Sequence, residues 1–258
     1  MTLVARRDRE YPSPNFSGPS PLGRIAGVVD PVGREVSGSV AEAWRFVMPR
    51  RVRSDDVARY WDAEAPGYDR SIAWVDRRLV RDGRAWVCTR ATGRTLEVGV
   101  GTGRNLAFYP DHVQLTGIDV SAGMLEIARR RADQLGRPVR LRVADAQRLP
   151  FGDESFDTVT ATLSMCAVPD LGATLSELHR VLRPGGQLVL LDHVRPSSLP
   201  LRWLLGICQV LVDVLRPTSG ERFLRRPLEL LPDYGFALDE SERSLGGAIE
   251  RLRAHRPG

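Results

Sequence analysis

Leu96-Glu97-Val98-Gly99-Val100-Gly101-Thr102-Gly103-Arg104 decides the fold. A short apolar run ends at Val98, three glycines follow at alternate positions, and a helix is expected to open at Arg104. Glycine suits such a turn because a Cβ blocks backbone approach to a ligand and disfavours positive φ. The following helix then points its N-terminus at the bound group. Many nucleotide-binding proteins share a glycine turn of this kind, so the neighbouring stretches carry the rest of the reading. Asp119 ends the next expected strand, about twenty residues after Gly99, where a carboxylate accepts hydrogen bonds from both hydroxyls of a ribose. The competing reading is a helix N-cap, with Asp119 or Ser121 preceding Ala122. Ala144-Asp145-Ala146-Gln147-Arg148-Leu149-Pro150-Phe151 ends a third strand, and Asp145 there can accept from an adenine amine or simply close a surface turn.

Outward from these motifs the chain alternates. Strands are expected over 94–98, 114–120, 139–144, 156–163 and 187–194, with helices at 122–135 and 171–182 between them. Two helices are expected before the first strand, one through Tyr60 and Trp61 and a second over 72–88. Strands alternating with helices imply a doubly wound, mostly parallel α/β sheet. Two closing strands, 236–244 and 247–255, flank the turn at Gly246 and Gly247. At 258 residues the chain can hold one such domain plus an extra segment.

Five stretches together resemble the class I S-adenosylmethionine-dependent methyltransferases of type 11. They are the glycine turn, Asp119, Asp145 with Ala146, Ser155-Phe156-Asp157-Thr158-Val159, and Leu182-Arg183-Pro184-Gly185-Gly186. Tyr60-Trp61-Asp62, Tyr68-Asp69 and Leu191-Asp192-His193-Val194 make the chain similar to the quinone-biosynthesis, phosphatidylethanolamine and alkyl-thiol methyltransferases among them. The resemblance implies a Rossmann-like sheet of seven strands with the last one antiparallel, and S-adenosyl-L-methionine as cofactor. It implies that Gly99, Gly101 and Thr102 line the methionine and ribose end, with Glu97 counted in the site. Asp119 would hold the ribose, Asp145 and Ala146 the adenine. Leu163 and Ser164 would face the sulfonium, and Tyr68 and Tyr60 would close over the cofactor. Val100 stands where such families often carry a smaller residue, and its side chain is expected to face away from the ligand.

Methyl transfer from a sulfonium needs alignment more than acid–base help. His193 is therefore either a proton acceptor for the substrate or a structural hydrogen-bonder, while Cys166 reads as a small core or pocket-wall residue and Asp157 and Asp192 as structural. The three cysteines (Cys88, Cys166 and Cys208) have no metal spacing, so no metal is expected. A nicotinamide-dependent oxidoreductase shares the glycine turn and the ribose carboxylate but leaves Asp145 and the Pro-Gly-Gly turn unexplained. A cofactor-binding module without chemistry is the remaining alternative. No Asn/Asp-Pro-Pro-aromatic signature follows the fourth strand, which argues against a nucleic-acid substrate. The acceptor is expected to be a small or lipid-like molecule.

The first 54 residues carry Pro12, Pro14, Pro19 and Pro21 among Ser and Gly, so a flexible tail is expected ahead of a domain over 55–258. Trp44, Phe46 and Val47 beside Arg50, Arg51 and Arg53 read as a linker end that packs on the domain or as a foothold on anionic lipid. Lysine never occurs; arginine supplies all 37 basic side chains, and the net charge is +5. No secretory signal is expected, which gives a cytoplasmic protein with peripheral membrane contact as an open alternative. Leu199 to Leu215 is too short and polar for a membrane span. It is expected to open a helical lid, about 199–234, as a wall of the acceptor pocket or as ordinary core.

Overall fold

The computed structural model describes residues 52–258. Residues 1–51 of the expected tail, with Trp44 and Phe46, lie outside the described residues. Helix α1 (Ser54–Val75) opens where the Asp56 carboxylate accepts from the Arg53 backbone N–H. It runs on as a π-helical turn, Asp76–Val80, stops at Arg81 with φ 54, and is followed by α2 (Gly83–Cys88). The break therefore falls later than the one expected near residue 72. Gly83 is required at the new start: a Cβ there would lie 2.1 Å from Leu191 Cδ1, so α2 docks directly on the sheet.

The sheet has seven strands: β1 (Arg94–Val98), β2 (Gln114–Asp119), β3 (Val139–Val143), β4 (Phe156–Thr162), β5 (Leu182–His193), β6 (Ala237–Ser244) and β7 (Ile249–His255), ordered β3-β2-β1-β4-β5-β7-β6. The pairs from β3 to β5 are parallel; β7 runs antiparallel between β5 and β6. This is the doubly wound architecture read from the sequence. β1 and β4 are buried almost throughout, as central strands covered on both faces must be. The edge strands β3 and β6 are mostly exposed and carry Arg140, Arg142, Glu240 and Glu242, charges that discourage further strand addition.

Helices α3 (Ala122–Leu135) and α4 (Leu171–Val181) are each N-capped, Ser121 accepting from Met124 N and Asp170 from Ala173 N. Leu175 and Leu178 of α4 pack with Leu96, Val159 and Leu188 on one face of the sheet; Leu125 of α3 packs with Val100, Leu106 and Leu115 on the other. Val100 packs into that core and also borders the cavity at the strand ends. Two expected elements differ. The helix expected from Arg104 is only a 3-10 turn, Leu106–Phe108, because Pro110 pushes the residue before it out of helical backbone. β5 begins five residues early and carries the Pro-Gly-Gly segment, whose Gly185 and Gly186 exchange backbone hydrogen bonds with Arg256.

Helix α5 (Leu199–Leu215) has the expected bounds, with Ser198 as cap and Pro200 in its first turn. It has no buried residue. Trp203 and Val210 are 76% and 62% exposed, so this helix is not core. Among the described residues no helix is long and apolar enough to cross a membrane.

Candidate cofactor site

The carboxyl ends of β1, β2 and β4 surround a cavity, where a doubly wound sheet places its ligand. Gly99 has φ +68, and a Cβ on it would lie 2.4 Å from Ser164 Cβ. Ser164 is held at that distance by its Oγ, which donates to the Val98 carbonyl at 2.9 Å. Gly101 has φ +54, and its missing side chain leaves open space. Its N–H donates to Asp119 Oδ2 at 2.9 Å, while the Ser121 N–H donates to Oδ1 at 2.9 Å. The turn thus fixes the carboxylate. Burial pushes Asp119 up to about 6, so an incoming pair of donors meets an acceptor that lacks water.

Glu97 is 1% exposed, and burial pushes it up to about 7. Its Oε1 accepts from Asn105 Nδ2 at 2.8 Å, but its Oε2 meets no hydrogen-bond donor among the described residues. A buried carboxylate oxygen left in this state is costly, and Glu97 lines the cavity. An ammonium entering there would supply the missing donor.

A network of arginines and carboxylates closes the same end. Arg84 donates to Asp76 Oδ1 at 2.8 Å and to Asn105 Oδ1 at 2.9 Å. Arg104 Nε donates to Asp76 Oδ2 at 2.6 Å. Asp69 accepts from the Thr102 hydroxyl at 2.7 Å, from Arg104 and from Arg131. At the opposite end Asp145 Oδ1 accepts from the Gln147 backbone and side chain, at 2.9 and 3.0 Å. Tyr68 lies between, its hydroxyl pushed up to about 12 by burial and therefore neutral.

A methyltransferase-domain family model matches residues 96–190. Over 180 residues the chain is 31% identical to a demethylmenaquinone methyltransferase of Bacteroides fragilis, an alignment covering 66% of this chain and 71% of that one. The chain belongs to the class I S-adenosylmethionine-dependent methyltransferases. It is also 43% identical over 136 residues to a phosphatidylethanolamine N-methyltransferase of Cereibacter sphaeroides, covering 52% of this chain and 66% of the relative, just under two thirds of its length. Among solved structures, a methyltransferase of Thermotoga maritima titled a possible histamine N-methyltransferase shares the fold. Its TM-score is 0.59 at 24% identity, over 78% of this chain and 99% of that one. S-adenosylmethionine is the cofactor of this class. The unpartnered Glu97 oxygen and the open Gly101 fit it, the first facing an amino-acid ammonium and the second a closely packed ligand.

Ten residues read from the sequence, Tyr68, Glu97, Gly99, Gly101, Thr102, Asp119, Asp145, Ala146, Leu163 and Ser164, line this one cavity. Tyr60 does not. It lies 100° around α1 from Trp61, and its hydroxyl is buried near Arg216 and Glu221 instead. Ser54, Val57, Trp61 and Tyr68 form the lining face of α1. Their spacing of three, four and seven is a helical stripe already visible in the sequence. Arg84 and Asn105 also line the cavity; nothing local marks either, since the fold brings Asp76 and Glu97 to them.

His193 stands outside this cavity. Its backbone N–H donates to Asp192 Oδ1 at 2.8 Å, and its ring lies 4.9 Å from that of Phe223. Nδ1 is buried and meets no partner among the described residues. Asp192 also accepts from the Cys166 N–H at 3.0 Å. Cys166, Asp192 and His193 have the proximity of a metal site. Burial beside Asp192 holds the Cys166 thiol well above its ordinary value.

Proposed function

We propose that this chain transfers the methyl group of S-adenosylmethionine to a small, lipid-like acceptor. The unpartnered Glu97 oxygen in the cavity carries the cofactor part of this reading. S-adenosylmethionine supplies an electrophilic methyl on a sulfonium. The chain's own residues hold and align. Glu97 takes the ammonium and Asp119 the ribose hydroxyls. Asp145 and Ala146 meet the adenine, while Arg84 and Arg104 face the carboxylate. Leu163, with φ 54 and its N–H on the Leu191 carbonyl, keeps the loop after β4 beside the reacting end.

The likeness to methyltransferases named for phosphatidylethanolamine and demethylmenaquinone supports a lipid-like acceptor. His193 is the group to accept a proton from it. Its free Nδ1 sits among Phe223, Asp192 and Glu221, and burial raises both carboxyls. Calorimetry with S-adenosylhomocysteine and with NADH tests the cofactor, and binding of NADH alone would overturn it. Transfer of labelled methyl groups into a lipid extract, compared with polar amines and thiols, tests the acceptor. A His193→Ala variant should lower kcat while leaving cofactor affinity unchanged.

A further inference from the structure

Helix α5 shows solvent the wrong face for a surface helix. Trp203, Ile207, Val210 and Val214 follow helical spacing and are 76%, 58%, 62% and 71% exposed. Leu204 and Leu211 widen this stripe and are exposed too. The helix's polar side chains all bond inward. Gln209 donates to the Glu221 carbonyl at 3.0 Å and accepts from the Phe223 N–H at 2.7 Å. Asp213 accepts from Arg222 at 2.7 Å, and Arg202 Nε donates to the Pro196 carbonyl at 2.7 Å. These bonds fix the rotation of the helix, so the apolar stripe cannot turn inward without breaking them. An apolar surface of this extent marks a partner.

Charge selects the partner. Of the six arginines between residues 195 and 226, Arg195, Arg222 and Arg226 are paired with carboxylates and Arg225 bonds carbonyls, which leaves Arg202 and Arg216 exposed at the two ends of the helix. A second copy would bring the same positive charge to the contact. So would the chain's own segment 41–53, with four arginines and one glutamate. An anionic surface complements it. At about 25 Å the helix is too short to span a bilayer and suits lying flat at its interface. We propose that the outward face of α5 seats the enzyme on an anionic phospholipid bilayer. The segment after the helix is tied to the cavity wall: Arg222 N–H donates to the Cys166 carbonyl at 3.0 Å, and Arg225 donates to the carbonyls of Val168 and Pro169. Ala167, Val168 and Pro169 line the cavity, so docking here brings the bilayer beside the cavity's rim. The inference holds whichever acceptor is methylated.

The test is flotation of the full chain with vesicles of phosphatidylcholine, with and without phosphatidylglycerol. The expected result is binding that needs phosphatidylglycerol, weakens with salt, and falls about tenfold or more in the W203E/V210E variant, with S-adenosylhomocysteine affinity unchanged. Vesicles of brominated lipid give an independent readout. The conservative Trp203→Phe variant should still bind, and should lose part of the fluorescence quenching seen in the parent. Undiminished binding by W203E/V210E, or unchanged quenching in Trp203→Phe, overturns the proposal. So does a parent that ignores vesicles but self-associates through this face. If W203E/V210E fails to fold, the quenching result decides alone.

Discussion

The cofactor cavity and helix α5 treat polar and apolar side chains in opposite ways. Around the cavity, carboxylates are drawn out of water: Glu97 and Asp119 are pushed up by burial, and one Glu97 oxygen has no donor among the described residues. On α5, tryptophan, isoleucine and valine are pushed into water while Gln209 and Asp213 bond inward. Each arrangement is unfavourable in isolation. Misplaced chemistry of either kind identifies what is missing, a cationic ligand in one place and an apolar phase in the other.

The contrast can be broken most strongly in the core beneath the cavity. Leu175→Ala, at a fully buried position, should cost about 2–5 kcal/mol in chemical denaturation. A loss well below that would mean α4 is not the packed support that positions the site. Asp119→Ala should weaken S-adenosylhomocysteine binding by about 1.5–3 kcal/mol in calorimetry, because two ligand donors lose a charged acceptor. Unchanged affinity in the folded variant would remove Asp119 from the ribose.

Protonation sharpens the comparison. Glu97 holds its proton up to about 7, against an ordinary carboxyl value of 4.5. The folded state therefore binds more protons than the unfolded one across that window, and this group's contribution to apo stability falls as pH rises through it. Cofactor binding runs the other way. The ammonium needs ionised Glu97, so affinity should rise roughly tenfold from pH 6 to 8, and Glu97→Gln should flatten the profile. A flat profile in the parent would detach Glu97 from the ammonium. The smallest effect belongs to α5: Trp203→Ser should change stability by no more than about 0.5 kcal/mol, since Trp203 is 76% exposed. A loss of several kcal/mol would show that Trp203 packs on the protein in solution.

Much of the cavity was legible in the sequence because its parts are local. Gly99, Gly101, Asp119, Asp145 and Ser164 each sit at the end of a strand, and a strand end can be placed from the apolar run before it. Tyr60 stays off the cavity through helical phase: Trp61 and Tyr68, seven apart, share a lining face that Tyr60 does not. Arg84 was missed because its partners, Asp76 and Asn105, are assembled by the break after α1 and by the 3-10 turn after β1.

By itself the sequence determined the alternation of strands and helices, and so the parallel sheet, the glycine turn and the carboxylates at the strand ends. These follow from periodicity and from backbone conformations that only particular residues adopt. It also determined the bounds of α5 and the narrowness of its polar strip. Only the tertiary structure decided which way that strip faces. The loop at 219–225 offers hydrogen-bond partners to Gln209 and Asp213, and satisfying these polar groups at a partly buried contact turns the strip inward and leaves the apolar stripe outside.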